Sequence, residues 1–290
     1  MKTITARWAG LFGLMVVLSF PAVAWAQDKE PIPDKFQIDF GGFFVTRADT
    51  SVSLAKKAGL FTVGTQIDFH QDLDLPDSDT VPRIDGYYRF GKRSRVDFTY
   101  FKIDRSGTAT SPNFDINWGD ITIPANTPLV SSFLDEEVLK ATYGFSFYNQ
   151  PRAELGVDAG LFIADISAGI SCPGGGTGDC AVPNSSQAEV TAPLPVVGAY
   201  FRYNISHRWR FIGRADFFFL EFGDYKGSLT DIRLNLEHHT WKHAGFGFGL
   251  NGIQTTLDYD TSTESGTLTN TISGPQIYVF TNFGTANYQK

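Results

Sequence analysis

The chain has 290 residues, 42% of them hydrophobic and 14% aromatic, with 26 Phe, 29 Gly and only two Cys and two Met. That composition supplies one large domain and excludes a disordered, collagen-like or disulfide-built small protein. A net charge of −7 gives none of the broad basic surface that phosphate-backbone binding needs, so no nucleic-acid partner is expected.

Residues 1–26 read as a secretory signal peptide. Lys2 and Arg7 form a positive start, Ala9 to Ala22 is almost wholly apolar, and Ala24-Trp25-Ala26 places small residues where a signal peptidase reads them. Beyond residue 26 no apolar run is long enough to cross a bilayer as a helix. Residues 27–35 then read as a periplasmic lead-in, 36–283 as the folded body and 284–290 as a C-terminal tail. Cys172 and Cys180 flank a glycine-rich stretch in an exported chain, which predicts a disulfide pinning a loop. Their spacing and the lack of an accompanying His speak against a metal or redox pair.

From Phe36 onward the sequence alternates with a period of two between an apolar, largely aromatic face and a face of Gly, Arg, Asp, Gln and Thr. Phe36 to Val45 makes a first strand, with Val52 and Leu54 in a short second one. Across 61–70 the apolar positions are Phe61, Val63, Ile67 and Phe69, and the polar ones Thr62, Gln66, Asp68 and His70. Ile84, Tyr88 and Phe90 oppose Arg83, Asp85 and Arg89; after the Gly91-Lys92-Arg93-Ser94 turn, Val96, Phe98 and Tyr100 oppose Arg95, Asp97 and Thr99. Leu139, Tyr143 and Phe145 then oppose Lys140, Thr142 and Gly144, and Leu155, Val157 and Leu161 oppose Glu154, Asp158 and Gly160. The pattern continues through Val197 to Asn204, Trp209 to Phe219, Asp231 to His239, Gly245 to Asn251 and Gln276 to Phe283.

In a soluble sandwich the charged faces meet water, but a face of Gly with paired Arg and Asp suits a narrow lumen, and the aromatic face suits lipid. Short connections at 91–94, 149–151, 206–208 and 242–244 alternate with long ones near 108–130, 171–187 and 260–268, as periplasmic turns and extracellular loops do. Tyr88, Phe90, Phe147, Tyr148, Tyr203, Trp209, Trp241 and Phe246 gather on the short-turn side as a girdle. The predicted fold is therefore all-β: a closed antiparallel transmembrane β-barrel of about twelve strands, or ten if 36–57 is not a full hairpin.

The runs Gly64-Thr65-Gln66-Ile67-Asp68, Asp72-Leu73, Pro82-Arg83-Ile84-Asp85-Gly86-Tyr87-Tyr88-Arg89-Phe90 and Arg95 resemble a family of functionally uncharacterised proteobacterial outer-membrane β-barrel proteins. Gly274, Tyr278, Phe280 and Phe283 resemble the terminal signal read by the barrel-assembly machinery, here followed by Gly284 to Lys290. The resemblance implies fold and an outer-membrane location, and no established activity.

Chemistry is sparse. Arg83, Asp85, Arg89, Arg95, Asp97, Glu136, Lys140, Arg152, Glu154, Asp158, Arg202, Arg210, Arg214, Asp216, Arg233 and Glu237 are expected to fill the lumen as a hydrogen-bonded charge network, since burying them singly would cost several kcal/mol each. The competing reading of the same residues is a charged constriction in a water-filled pore. Asp68, His70 and Asp72, read as pointing inward at the extracellular mouth, are the catalytic alternative: a His between carboxylates could orient a water for hydrolysis of lipid or peptide. Glu237 and His239 share the lumen face, and His238 with Thr240 lies on the girdle. No Gly-x-Ser-x-Gly, phosphate loop, dinucleotide fingerprint or His-Glu-x-x-His occurs, and no cofactor or metal is implied. The expected role is non-enzymatic, either ligand binding by surface loops or passage of small solutes. Outer-membrane lipid and lipopolysaccharide are the expected partners, with the assembly machinery during insertion.

Overall fold

A computed structural model describes residues 35–58, 61–111, 114–118, 121–262 and 264–284. The expected signal peptide, the lead-in up to residue 34 and the tail from 285 lie outside the described residues. The strands are β1 (Phe36–Val45), β2 (Arg47–Ala58), β3 (Phe61–Asp68), β4 (Asp79–Arg89), β5 (Ser94–Ala109), β6 (Ile116–Trp118), β7 (Ile121–Ile123), β8 (Val130–Asn149), β9 (Ala153–Cys172), β10 (Asn184–Asn204), β11 (Trp209–Phe222), β12 (Tyr225–His238), β13 (Ala244–Asp260) and β14 (Glu264–Phe283).

Twelve of them form one sheet, but the ring itself closes through ten, in the order β1-β4-β5-β8-β9-β10-β11-β12-β13-β14 and back to β1. The reason lies in the first hairpin. β1 pairs with the lower part of β14 in a register that sets Phe43 against Gln276, and β2 carries on along the same strand with Arg47 against Ser273. Between them β1–β2 gains one residue, and the Thr46 amide donates to the Ser273 carbonyl at 3.0 Å. β1 and β2 are therefore one strand with a bulge. β3 and β4 likewise follow one path down its other side, interrupted by residues 69–78.

The alternation keeps its phase along each long strand while its chemistry reverses. In β5 the inward residues are Arg95, Asp97 and Thr99, and then Phe101 and Ile103; the outward ones are Val96, Phe98 and Tyr100, and then Lys102 and Asp104. In β9 inward Glu154 and Asp158 give way to Phe162, Ala164 and Ile166, while outward Leu155, Val157 and Leu161 give way to Asp165 and Ser167. The short-turn half is thus apolar outside and charged inside, and the long-loop half is polar outside and apolar inside. The reversal shows in the sequence as adjacent apolar pairs, one side chain on each face: Tyr100-Phe101, Val138-Leu139, Leu161-Phe162, Val196-Val197 and Phe217-Phe218.

The upper interior is a packed core that includes Phe43, Val81, Phe101, Phe162, Leu194, Phe218, Leu229, Ile253 and Ile272. Each such side chain stabilises the fold by about 1.5–3 kcal/mol through the apolar surface it removes from water. A lid closes over this core. The β6–β7 hairpin turns Ile116, Trp118, Ile121 and Ile123 inward, and Trp118 meets Phe69 edge-on at 5.7 Å. Cys172 and Cys180 are disulfide-bonded, and the 3-10 turn at Gly178–Cys180 lets Asp179 accept the Thr122 amide at 2.8 Å. The 108–130 stretch, read from sequence as a long loop, therefore contributes a two-stranded lid.

Candidate functional site

The lower lumen is filled by two connected groups of charges. Nearest the short turns, Arg89 grips Glu154 in bidentate fashion at 2.9 and 3.0 Å, Arg202 reaches the same carboxylate at 2.5 Å, and Ser146 donates to it as well. Tyr200 closes this group by its hydroxyl on Ser146 at 2.9 Å and by its ring, 3.8 Å beneath the Arg95 guanidinium. That ring lies across Gly156, where a Cβ would come within 2.2 Å of Tyr200 Cζ, so the glycine is what lets the aromatic lie flat. Glu237 accepts from Gln37 at 2.8 Å and Tyr278 at 3.2 Å, with Arg210 at 3.6 Å.

One level up, Arg214 holds three carboxylates, Asp97 at 3.3 Å, Asp158 at 3.1 Å and Asp216 at 2.8 Å, and donates to Thr142 at 2.6 Å. Lys140 bridges Asp216 at 2.8 Å and Asp231. Arg83 binds Asp85 at 2.7 Å and Asn251 at 2.5 Å, Arg233 closes on Asp85 from the opposite wall, and Arg95 pairs with Asp97 at 3.0 Å. Opposite charges from strands on facing walls meet across the lumen, the arrangement under which burying ions is tolerated.

Two of the lumen candidates fall elsewhere. Arg152 is exposed in the β8–β9 turn with its guanidinium 5.4 Å over the Tyr203 ring, because that turn ends the alternation one residue before Ala153 starts β9. Glu136 points inward but sits above the network, inside the apolar half. There Asn270 donates to it at 2.7 Å, Thr50 donates to Asn270 at 2.8 Å, and Arg105 donates to Thr50 and to the Ala48 carbonyl, both at 2.9 Å. Burial pushes the Glu136 carboxyl above its ordinary value. Arg105, Thr50 and Asn270 were not singled out from the sequence, nor were Asn251, Gln37 and Tyr200 in the network below, and Tyr278 was read only as part of the terminal signal. Their positions on the inward parity of their strands were the available signal.

The acidic mouth also differs from its reading. Ile67 and Phe69 are the inward residues, packed into the upper core, so Asp68 and His70 stand on the opposite side of the chain. The carboxylates are engaged in holding a turn: Asp68 accepts the His70 and Gln71 amides at 3.0 Å each, and Asp72 accepts the Asp68 amide at 2.8 Å. The His70 Nδ1 lies 2.8 Å from the Leu75 carbonyl. That bond outweighs the opposing desolvation and, with smaller help from the Asp77 and Asp68 charges, raises the His70 pKa above 6.5. The three residues together fasten the 69–78 excursion whose Phe69, Leu73 and Leu75 plug the core. At the other end Glu237 and His239 are buried in the lumen, and His238 lies between the Trp209 and Phe246 rings at 4.6 and 5.3 Å.

No family model and no curated protein matches the chain. Among solved structures it is similar to the outer-membrane protease OmpT from Escherichia coli, with a TM-score of 0.55 and 11% identity over 88% of this chain and 99% of that one. The Pseudomonas putida toluene transporter TodX gives a TM-score of 0.34 at 10% identity over 87% and 91% of the two chains. A Pseudomonas aeruginosa FadL homologue gives 0.35 at 10% identity over 86% and 90%. Together with the closed antiparallel ring and its apolar outer belt, the likeness to OmpT gives this chain the fold of a bacterial outer-membrane β-barrel.

Proposed function

We propose that this protein is a closed outer-membrane barrel that acts by presenting a rigid extracellular half, binding at the cell surface without catalysing a reaction and without conducting solutes. The observation that carries the reading is the occupied interior: a charge network fills the lower lumen, an apolar core fills the upper one, and a disulfide-tied lid lies over both. A water-filled path for polar solutes would need polar lining along its whole length, whereas a solute ascending past Lys140 and Asp231 meets the close-packed Phe101, Phe162 and Phe218.

The outer wall above the apolar belt is rich in hydroxyls, with Ser106, Thr108, Ser131 and Ser171 beside Phe133 around a shallow recess, a surface suited to lipopolysaccharide sugars or a surface ligand. The hydrolytic alternative is disfavoured because Asp68 and Asp72 already accept backbone amides. Reconstitution into planar bilayers tests the reading: folded protein should give no discrete openings, and Arg83→Ala should remain silent. Stable openings in the wild type, altered by that substitution, would restore the pore. Loss of a hydrolytic activity in His70→Ala with the barrel intact would restore the enzyme.

A further inference from the structure

We propose that the periplasmic rim is a binding surface for anionic phospholipid of the inner leaflet. Lys35 and the short turns carry Lys92, Arg93, Arg152 and Arg208, all exposed, and among the described residues 89–94, 149–153, 204–210 and 239–244 there is no carboxylate. The opposite end has the reverse balance. Three of its cations are matched locally, Arg47 with Asp49 at 2.5 Å, Lys102 with Asp104 at 2.7 Å and Lys226 with Glu221 at 2.8 Å, while Asp74, Asp77, Asp115, Asp179 and Glu189 add negative charge. A molecule of net charge −7 thus concentrates same-sign cations on one ring, whose mutual repulsion an anionic surface relieves.

Placement selects lipid over a soluble polyanion. Lys35 Nζ lies 5.9 Å over the ring of Tyr88, and Arg152 lies 5.4 Å over Tyr203, so these cations are turned sideways onto the girdle. Trp209 and Trp241 are exposed on the same ring of turns. An aromatic belt marks headgroup depth, which puts the cations at the level of lipid phosphates.

The test uses full-length protein in vesicles of phosphatidylcholine containing brominated phosphatidylglycerol or, separately, brominated phosphatidylcholine at equal mole fraction. Indole quenching is read, and a Trp209→Phe/Trp241→Phe variant assigns the rim signal. The expected result is a preference for phosphatidylglycerol of about three-fold or more in relative association, falling toward unity at about 0.5 M salt. It should also fall in the combined Lys92→Gln, Arg93→Gln, Arg152→Gln, Arg208→Gln variant. Equal quenching by the two lipids in the wild type, or a preference that salt leaves unchanged, would overturn the proposal, and the salt series decides this even if the combined variant folds poorly. Binding to isolated peptidoglycan without a lipid preference would also overturn it, and would reassign the rim to that polyanion.

Discussion

The two halves of the barrel solve the same packing problem with opposite materials. In the membrane half, lipid covers the apolar face and the interior is left to Arg214, Asp216, Lys140 and their partners. In the extracellular half, water covers Lys102, Asp104 and Asp165, and the interior is left to Phe101, Phe162 and Ile166. The strands run through both without changing phase, so the solvent outside decides which residue type is stable inside at each height. What separates the halves is the bilayer surface.

The largest effects should come from breaking each interior in its own currency. Arg214→Ala leaves Asp97 and Asp158 buried beside a vacated site and should cost about 3–5 kcal/mol. It should appear as a marked drop in the temperature at which the folded band is lost on detergent gels. Phe162→Ala should cost a similar amount, about 3–5 kcal/mol by cavity formation, but in the upper half. Limited proteolysis should then open the lid while the membrane half keeps its protection.

A charge placed outside sharpens the contrast. Val157→Arg, on the lipid-facing side of β9, should cost about 2–4 kcal/mol. Thr267→Arg, on the outer wall of the extracellular half, should change stability by about 0.5 kcal/mol or less in paired unfolding titrations. Removing the Cys172–Cys180 bond, which spans a sequence separation of 8, should weaken the lid by about 2.5 kcal/mol and expose Trp118 to a water-soluble quencher.

The smallest effect is a pH dependence. Because the His70 pKa is raised in the folded state, its contribution is complete below the unfolded value of 6.5 and is lost as pH rises through the folded pKa. Amide exchange in residues 69–78 should therefore be slower near pH 5 than near pH 8 after correction for intrinsic rates, and His70→Ala should abolish the difference.

Much of this was legible in advance. Period-two alternation located the long strands, as for Arg95 to Tyr100 within the observed Ser94–Ala109 and Gly245 to Asn251 within Ala244–Asp260, because a two-faced strand writes its faces directly into the sequence. The ring count was not settled, since β1 and β2 read as two strands when a bulge makes them one. The inside of 61–70 was misread for a physical reason. Apolar faces were taken to mean lipid everywhere, whereas Ile67 and Phe69 stand above the bilayer, where apolar means interior. The doublets such as Tyr100-Phe101 held the missing information. The β6–β7 lid was out of reach, because two three-residue strands carry too short a pattern and are held by tertiary contacts with Phe69 and Asp179.

The most direct test of the reversal is a spin-label scan along β9, comparing accessibility to oxygen, which partitions into lipid, and to a water-soluble nickel chelate. Labels at the outward positions 157 and 161 should favour oxygen and those at 165 and 167 the chelate, while labels at the inward positions 162 and 166 meet little of either. A single preference maintained along all four outward positions, or chelate access at 162 and 166, would contradict the account.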